Sequence, residues 1–219
     1  FPVGDFTEDK WRQYEWAYYR LIEKADEQIG VVLNALRAAG KADDTVIVLL
    51  SDHGDCQGAH GWNQKTVFYE EATRVPFIVS WPSYIRQGRS ERLVNTGIDL
   101  IPTLCDVAGI RPPAHLPGES VIDNLPTERK FVVSANRFIQ GASVDGNVPT
   151  ATGRMLRSTR YKYCVYSEGG SRESLVDLQN DPGEMVNLVG NERFEGVLKD
   201  HRKMLQEWCR KTSDTFAFV

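Results

Sequence analysis

The stretch VIVLLSDHGDCQGAHGWNQK, running from Val46 to Lys65, decides how this chain is read. Val46 to Leu50 is an unbroken apolar run, read as a strand over Thr45–Leu50, and it stops on Ser51-Asp52-His53-Gly54. A strand apolar on both faces suits the interior of a parallel sheet, where helices cover both sides. Asp and Gly tolerate tight backbone geometry, and a plain turn is enough to account for an isolated Asp-His-Gly. The loop beyond carries His60 and Lys65 among glycines at 54, 58 and 61, which let backbone approach a ligand closely or simply loosen the loop.

Upstream, residues 8 to 39 are patterned as a helix. Trp11, Tyr14, Tyr18, Leu21, Ile22, Ala25, Ile29, Val32, Leu33 and Leu36 recur at three- and four-residue steps, and Gly40 supplies a stop. Downstream, VPFIVSW (Val75 to Trp81) reads as a second buried strand closed by Pro82. Ile98 to Ala108 reads as a short helix ending at Gly109, with Pro102 near its first turn, where a missing N–H is tolerated. A helix between buried strands predicts an α/β domain whose helices cover a parallel-type sheet. Ligands of such sheets sit beyond the carboxyl ends of the strands, where Asp52 and His53 fall.

After about residue 125 the texture changes. KFVVSAN, GRMLRSTRYKYCVYS and ESLVDL are short strand-like runs, and an amphipathic helix follows with Phe194, Val197, Leu198, Leu205 and Trp208 on one face. The division is therefore 1–124 for an α/β domain and 125–219 for a small antiparallel sheet plus C-terminal helix.

The 219 residues are ample for a core, and the net charge of -4 without a basic run argues against nucleic acid as partner. No apolar stretch reaches membrane-spanning length. Four scattered cysteines without a CxxC argue against a zinc cluster, while two disulfides and four thiols both fit. The chain starts Phe-Pro-Val, with neither initiator Met nor signal peptide, as expected of a processed chain or a piece of something longer.

Asp52, at a strand tip, is a hard anionic oxygen ligand, and His53 offers a neutral nitrogen. Lys65 is either a solvated lysine or a point charge able to neutralise a tetrahedral oxyanion. His60 either serves a leaving group or anion, or packs against Trp62. Cys56 has no base beside it in sequence and reads as structural. His115 and His201 read as incidental.

Taken together, these segments resemble the later portion of the type I sulfatase family, within the alkaline-phosphatase-like superfamily. IEKADEQIGVVLNALRAAGKADDTVIVLLSDHG resembles the helix, link and strand before the family's second metal-ligand pair. GAHGWNQKTVFYEEATRVPFIV resembles the stretch with its sulfate-binding lysine, and IDLIPTLCDVAGI its later helix. RSTRYKYCVY and ESLVDLQNDPGEMVNL resemble its C-terminal subdomain signature. Four motifs in order, with thirteen positions from Asp52 to Lys65, carry the resemblance.

The resemblance implies an alkaline-phosphatase-like sheet with flanking helices, present in part. It implies Asp52 and His53 as ligands of a divalent cation, calcium first with manganese or magnesium as alternatives. Lys65 becomes the sulfate-contacting lysine, and His60 lies near the pocket without an assigned role. Many members carry Asn where this chain has His53; Asp-His also occurs in phosphonate and phosphodiester hydrolases of the superfamily.

The family's nucleophile is a formylglycine made within C/S-x-P-x-R. No such motif occurs here, so there is no nucleophile in this chain; its early Asp-Asp metal pair is absent too. Calcium takes about six to eight oxygen ligands, and one carboxylate with one imidazole falls short. The chain alone is therefore expected to be inactive, prone to self-association, and completed by an N-terminal part of the same protein that brings formylglycine. The expected substrate is a sulfate ester of a carbohydrate or small alcohol, and the family setting favours periplasm or secretion. The competing readings are a phosphonate monoester or phosphodiester hydrolase, favoured by Asp-His, and a non-catalytic binding module.

Overall fold

The computed structural model describes residues 6–122, 129–138 and 150–218. They form two compact units: the described parts of 1–65, 70–91 and 96–124, and those of 66–69, 92–95 and 125–219.

In the first unit, helix α1 spans Glu8–Ala38. Thr7 caps it by accepting the Lys10 N–H, and Glu8 and Asp9 face the positive end of the helix dipole. It ends because Gly40 adopts φ 66: the Gly40 N–H reaches Arg37 O and the Lys41 N–H reaches Leu36 O, which satisfies two orphan carbonyls. Of the predicted apolar stripe, Trp11, Tyr14, Tyr18, Leu33 and Leu36 are half-buried, whereas Leu21, Ile22, Ile29 and Val32 are exposed.

Strands β1 (Ile47–Leu50) and β2 (Phe77–Ser80) are shorter than the apolar runs that contain them. They also pair antiparallel, Leu50 opposite Phe77 and Ile47 opposite Ser80, so these two strands are not parallel neighbours. Apolar residues on both faces report that a strand is meant to be covered, not which way its neighbour runs. Nor is that cover supplied within the described chain: the cross-strand partners Leu49 and Ile78 are 39% and 53% exposed.

Between the strands lies a single helical turn, α2 (Glu70–Thr73), and after them α3 (Thr96–Val107). Because α3 starts at Thr96, Pro102 sits in its interior and not in its first turn. Proline leaves the Ile98 carbonyl without its helical donor. The 116–122 loop packs there: a Cβ on Gly118 would lie 1.9 Å from Ile98 O, and buried Asp99 and Thr103 accept the Glu119 and Val121 N–H groups.

The second unit is an antiparallel meander, β3 (Phe131–Arg137), β4 (Thr152–Ser158), β5 (Tyr161–Tyr166) and β6 (Glu173–Asp177), followed by helix α4 (Glu195–Lys211). Alternation sorts its residues onto two faces. Leu156, Tyr163, Val165 and Leu175 meet Leu198, Leu205 and Cys209 of α4 in the main core. Met155 and Cys164, on the other face, pack against Phe68, which arrives from the segment just after Lys65. All four cysteines are buried and none is bonded to another, and burial pushes the Cys164 thiol up to about 12.

Candidate functional site

β1 delivers the chain to Ser51, whose hydroxyl donates to His53 O, while the His53 N–H donates to Asp52 Oδ1 at 3.0 Å. This turn leaves the Asp52 carboxylate 84% exposed and sets Oδ2 3.5 Å from His53 Nε2. Gly54 follows and donates its N–H to Ala72 O at 2.8 Å, tying the strand end to α2.

His53 is bracketed. Its Nδ1 lies 2.8 Å from Gly54 O, and its Nε2 lies 2.6 Å from Lys65 Nζ. A carbonyl can only accept, so Nδ1 carries the proton and Nε2 presents its lone pair to the Lys65 ammonium. The structure thus brings Asp52, His53 and Lys65 together, thirteen positions notwithstanding. A cation seeking an imidazole nitrogen would compete with Lys65 for that lone pair.

His60 is placed differently. It adopts φ 55 and sends Nε2 to within 3.9 Å of Glu71 Oε2, an ion-pair distance too long for a hydrogen bond. Cys56 is buried, with its N–H donating to Gln64 O, as a structural residue would be. His115 is exposed. His201 is buried between Val197 O and the Ser158 hydroxyl, and burial lowers its pKa.

Sequence reading passed over Asp55. Its Oδ1 accepts the Gln57 N–H, Gln57 Nε2 and the Gln64 N–H at 3.0, 2.7 and 3.1 Å. One carboxylate oxygen therefore closes the loop immediately before Lys65. An Asp two residues before a Gln that takes φ 49 is an Asx-type turn, and that is the local signal available. Gly58, at φ 93, lies under Trp11 of α1, whose ring would be 2.9 Å from any added Cβ.

Asp52 and His53 set an oxygen donor and a nitrogen donor side by side, both types that a divalent cation takes. Among the described residues no group of three or more His, Cys, Asp or Glu is arranged to hold a metal. A concavity of about 340 Å³ in the second unit shares no residue with this site. Its Arg202 is spent on a bidentate pair with Glu173, which also accepts from Tyr163. No described helix is long and apolar enough to cross a membrane.

Comparison with known proteins identifies the family. The family model for the C-terminal part of N-sulphoglucosamine sulphohydrolase covers residues 58–211, and the sulfatase model covers residues 3–110. A Δ4,5-hexuronate-2-O-sulfatase of Bacteroides thetaiotaomicron is 33% identical over 98% of this chain. The chain spans about half of that relative's length, 45%. A solved structure described as in complex with its substrate D-glucosamine-2-N,6-O-disulfate superposes with TM-score 0.83 at 28% identity, over 94% of this chain and 42% of the other. The phosphonate monoester hydrolase of Agrobacterium radiobacter, at 24% identity and TM-score 0.76 over 95% of this chain and 43% of its own, shares the fold.

Proposed function

This chain belongs to the sulfatase family and matches its C-terminal portion, and from that premise we propose that the complete protein hydrolyses a sulfate ester of a carbohydrate, with Lys65 holding the sulfate group. The observation that carries this reading is the convergence of Lys65 Nζ on His53 Nε2 at 2.6 Å, beside the exposed Asp52 carboxylate. The substrate class follows the hexuronate and glucosamine sulfates named for the relatives.

Sulfate-ester hydrolysis builds negative charge on the sulfate oxygens and the departing oxygen, so fixed positive charge lowers the barrier. Lys65 supplies one such charge as a mobile ammonium. The backbone just before it is held by the Asp55 closure, while its head rests on His53. Asp52 and His53 are the residues of this chain that would hold the cation, calcium first, which supplies charge neutralisation at the ester when bound. Lys65 now rests on the one lone pair of His53 Nε2; were His53 to hold the cation, the Lys65 ammonium would be available to a sulfate oxygen. His60, paired toward Glu71, has its place in supporting the loop between them. The nucleophile, formylglycine in this reading, and the remaining ligands belong to an N-terminal part of the protein. The exposed apolar faces of α1 and of the Leu49–Ile78 pair are where we expect further polypeptide to pack.

The test is turnover of an aryl sulfate and an aryl phosphonate, side by side, by the intact protein and its Lys65→Ala variant. We expect preference for the sulfate and a loss of about 10²–10³ in kcat for the variant, as for removal of one oxyanion donor. Preference for the phosphonate would replace this reading by the one that Asp52-His53 favours. Unchanged kcat would remove Lys65 from the site.

A further inference from the structure

Lys65 is flanked by two residues in the left-handed region, Gln64 at φ 61 and Thr66 at φ 77. A β-branched side chain is rarely found there, so something on each side has to hold the backbone in place. Upstream the hold is Asp55, which accepts the Gln64 N–H.

Downstream, the chain enters the second unit, and Phe68, three residues past Lys65, is gripped there. The Lys162 ammonium donates to Phe68 O at 2.7 Å and pairs with Glu184 Oε1 at 2.6 Å. Both side chains are out of solvent, 1% and 4% exposed. Lys162 is the second residue of β5, on the sheet face where Cys164 and Met155 receive the Phe68 ring. Glu184 is turned inward by a tight turn in which it takes φ 54, with the Asp181 carboxylate accepting the Val186 N–H.

A buried ion pair is a poor device for stability, since apolar residues of similar volume often serve as well or better. It is a good device for fixing one position. Here the ammonium is pinned by Glu184 and aimed at a main-chain carbonyl, so the grip does not depend on the identity of residue 68.

We propose that Lys162 and Glu184 are positioning residues for Lys65: the buried pair clamps the Phe68 carbonyl and, with Asp55 on the other side, holds the strained backbone that presents the ammonium. The inference rests on Lys65 as the sulfate-holding group. It gives the C-terminal sheet a part in the reaction through the backbone that leads to Lys65.

The decisive variant in the intact protein is Lys162→Met/Glu184→Leu, which removes both charges together and leaves neither stranded. It should melt cooperatively within a few degrees of the parent. Amide exchange in residues 66–69 should nevertheless quicken at least tenfold, and kcat/KM for an aryl sulfate should fall about tenfold. Combined with Lys65→Ala, the loss should be far smaller than the product of the separate losses, because the clamp acts through Lys65. Multiplicative losses, or unchanged exchange in a folded double variant, would overturn the proposal. If that variant does not fold, Thr66→Gly relieves the φ 77 strain without touching the core. Its loss should likewise be non-multiplicative with Lys65→Ala, and a multiplicative or absent loss would overturn the proposal. A parent inactive on sulfate esters would sink the function reading, and the exchange arm would still decide the clamp.

Discussion

Gly54→Ala is the sharpest probe of how the strand end is held. A Cβ at Gly54 would lie 1.9 Å from Glu71 O, 3.0 Å from Glu71 C and 3.4 Å from Ala72 Cα. The obstacle is main chain, so no rotamer change relieves it. To reach even 3.0 Å from the oxygen, backbone on one side has to retreat by 1.1 Å. The retreat also stretches the half-buried Gly54 N–H to Ala72 O hydrogen bond, now 2.8 Å, whose loss costs about 0.5–1.5 kcal/mol. Gly54 adjoins His53 and accepts its Nδ1 proton, so the imidazole moves with it. A misplacement of about 1 Å in catalytic machinery is worth about 10²-fold in rate. We therefore expect kcat/KM for an aryl sulfate to drop about 10²-fold in the intact protein, with a lower melting temperature. Gly196→Ala, in α4 with nothing within 4 Å of the new Cβ, is the control: it should gain about 0.5–1 kcal/mol and keep its activity. A Gly54→Ala protein within threefold of the parent would show that the strand end tolerates displacement and that its geometry does not set the site.

Stripping the intact protein with EDTA should abolish turnover and calcium should restore it, while Asp52→Asn should need about 10–100-fold more calcium, a floor set by what outer ligands contribute; an unaltered calcium requirement would take Asp52 out of the ligand set. Leu156→Ala, in the fully buried centre of the second unit, should cost about 2–5 kcal/mol in urea unfolding, and a loss below about 1 kcal/mol would mean that this core is looser than its packing implies. The Arg160 guanidinium holds the Asp177 carboxyl at about 2, below its ordinary 3.8, so folding favours its ionised form. That contribution is complete above the ordinary value and drains away as pH falls toward about 2. The melting-temperature gap between parent and Asp177→Asn should therefore be flat above pH 5 and close between about pH 4 and 2; a gap independent of pH would refute the pairing.

Local chemistry wrote much of this protein legibly. The Gly40 stop of α1 follows from a single residue and the last helix of the second unit from a period of 3.6, while its strands show as three strand-like runs, the middle one holding both β4 and β5. The Asp52-to-Lys65 interval and the ordered motifs pointed to the family, because those residues lie close in sequence. Direction and cover were not legible. An apolar run looks the same whichever way its neighbour points, so the antiparallel β1–β2 pair and the interior place of Pro102 appeared only in three dimensions. The same holds for the partners that lie far apart in sequence: Asp55 across its loop, Lys162 on the Phe68 carbonyl, Glu184 turned in from a strained turn. Sequence determines which groups a chain owns and how each short segment bends; which distant atom satisfies a given charge is decided by packing, since only the assembled core excludes the water that would otherwise answer it.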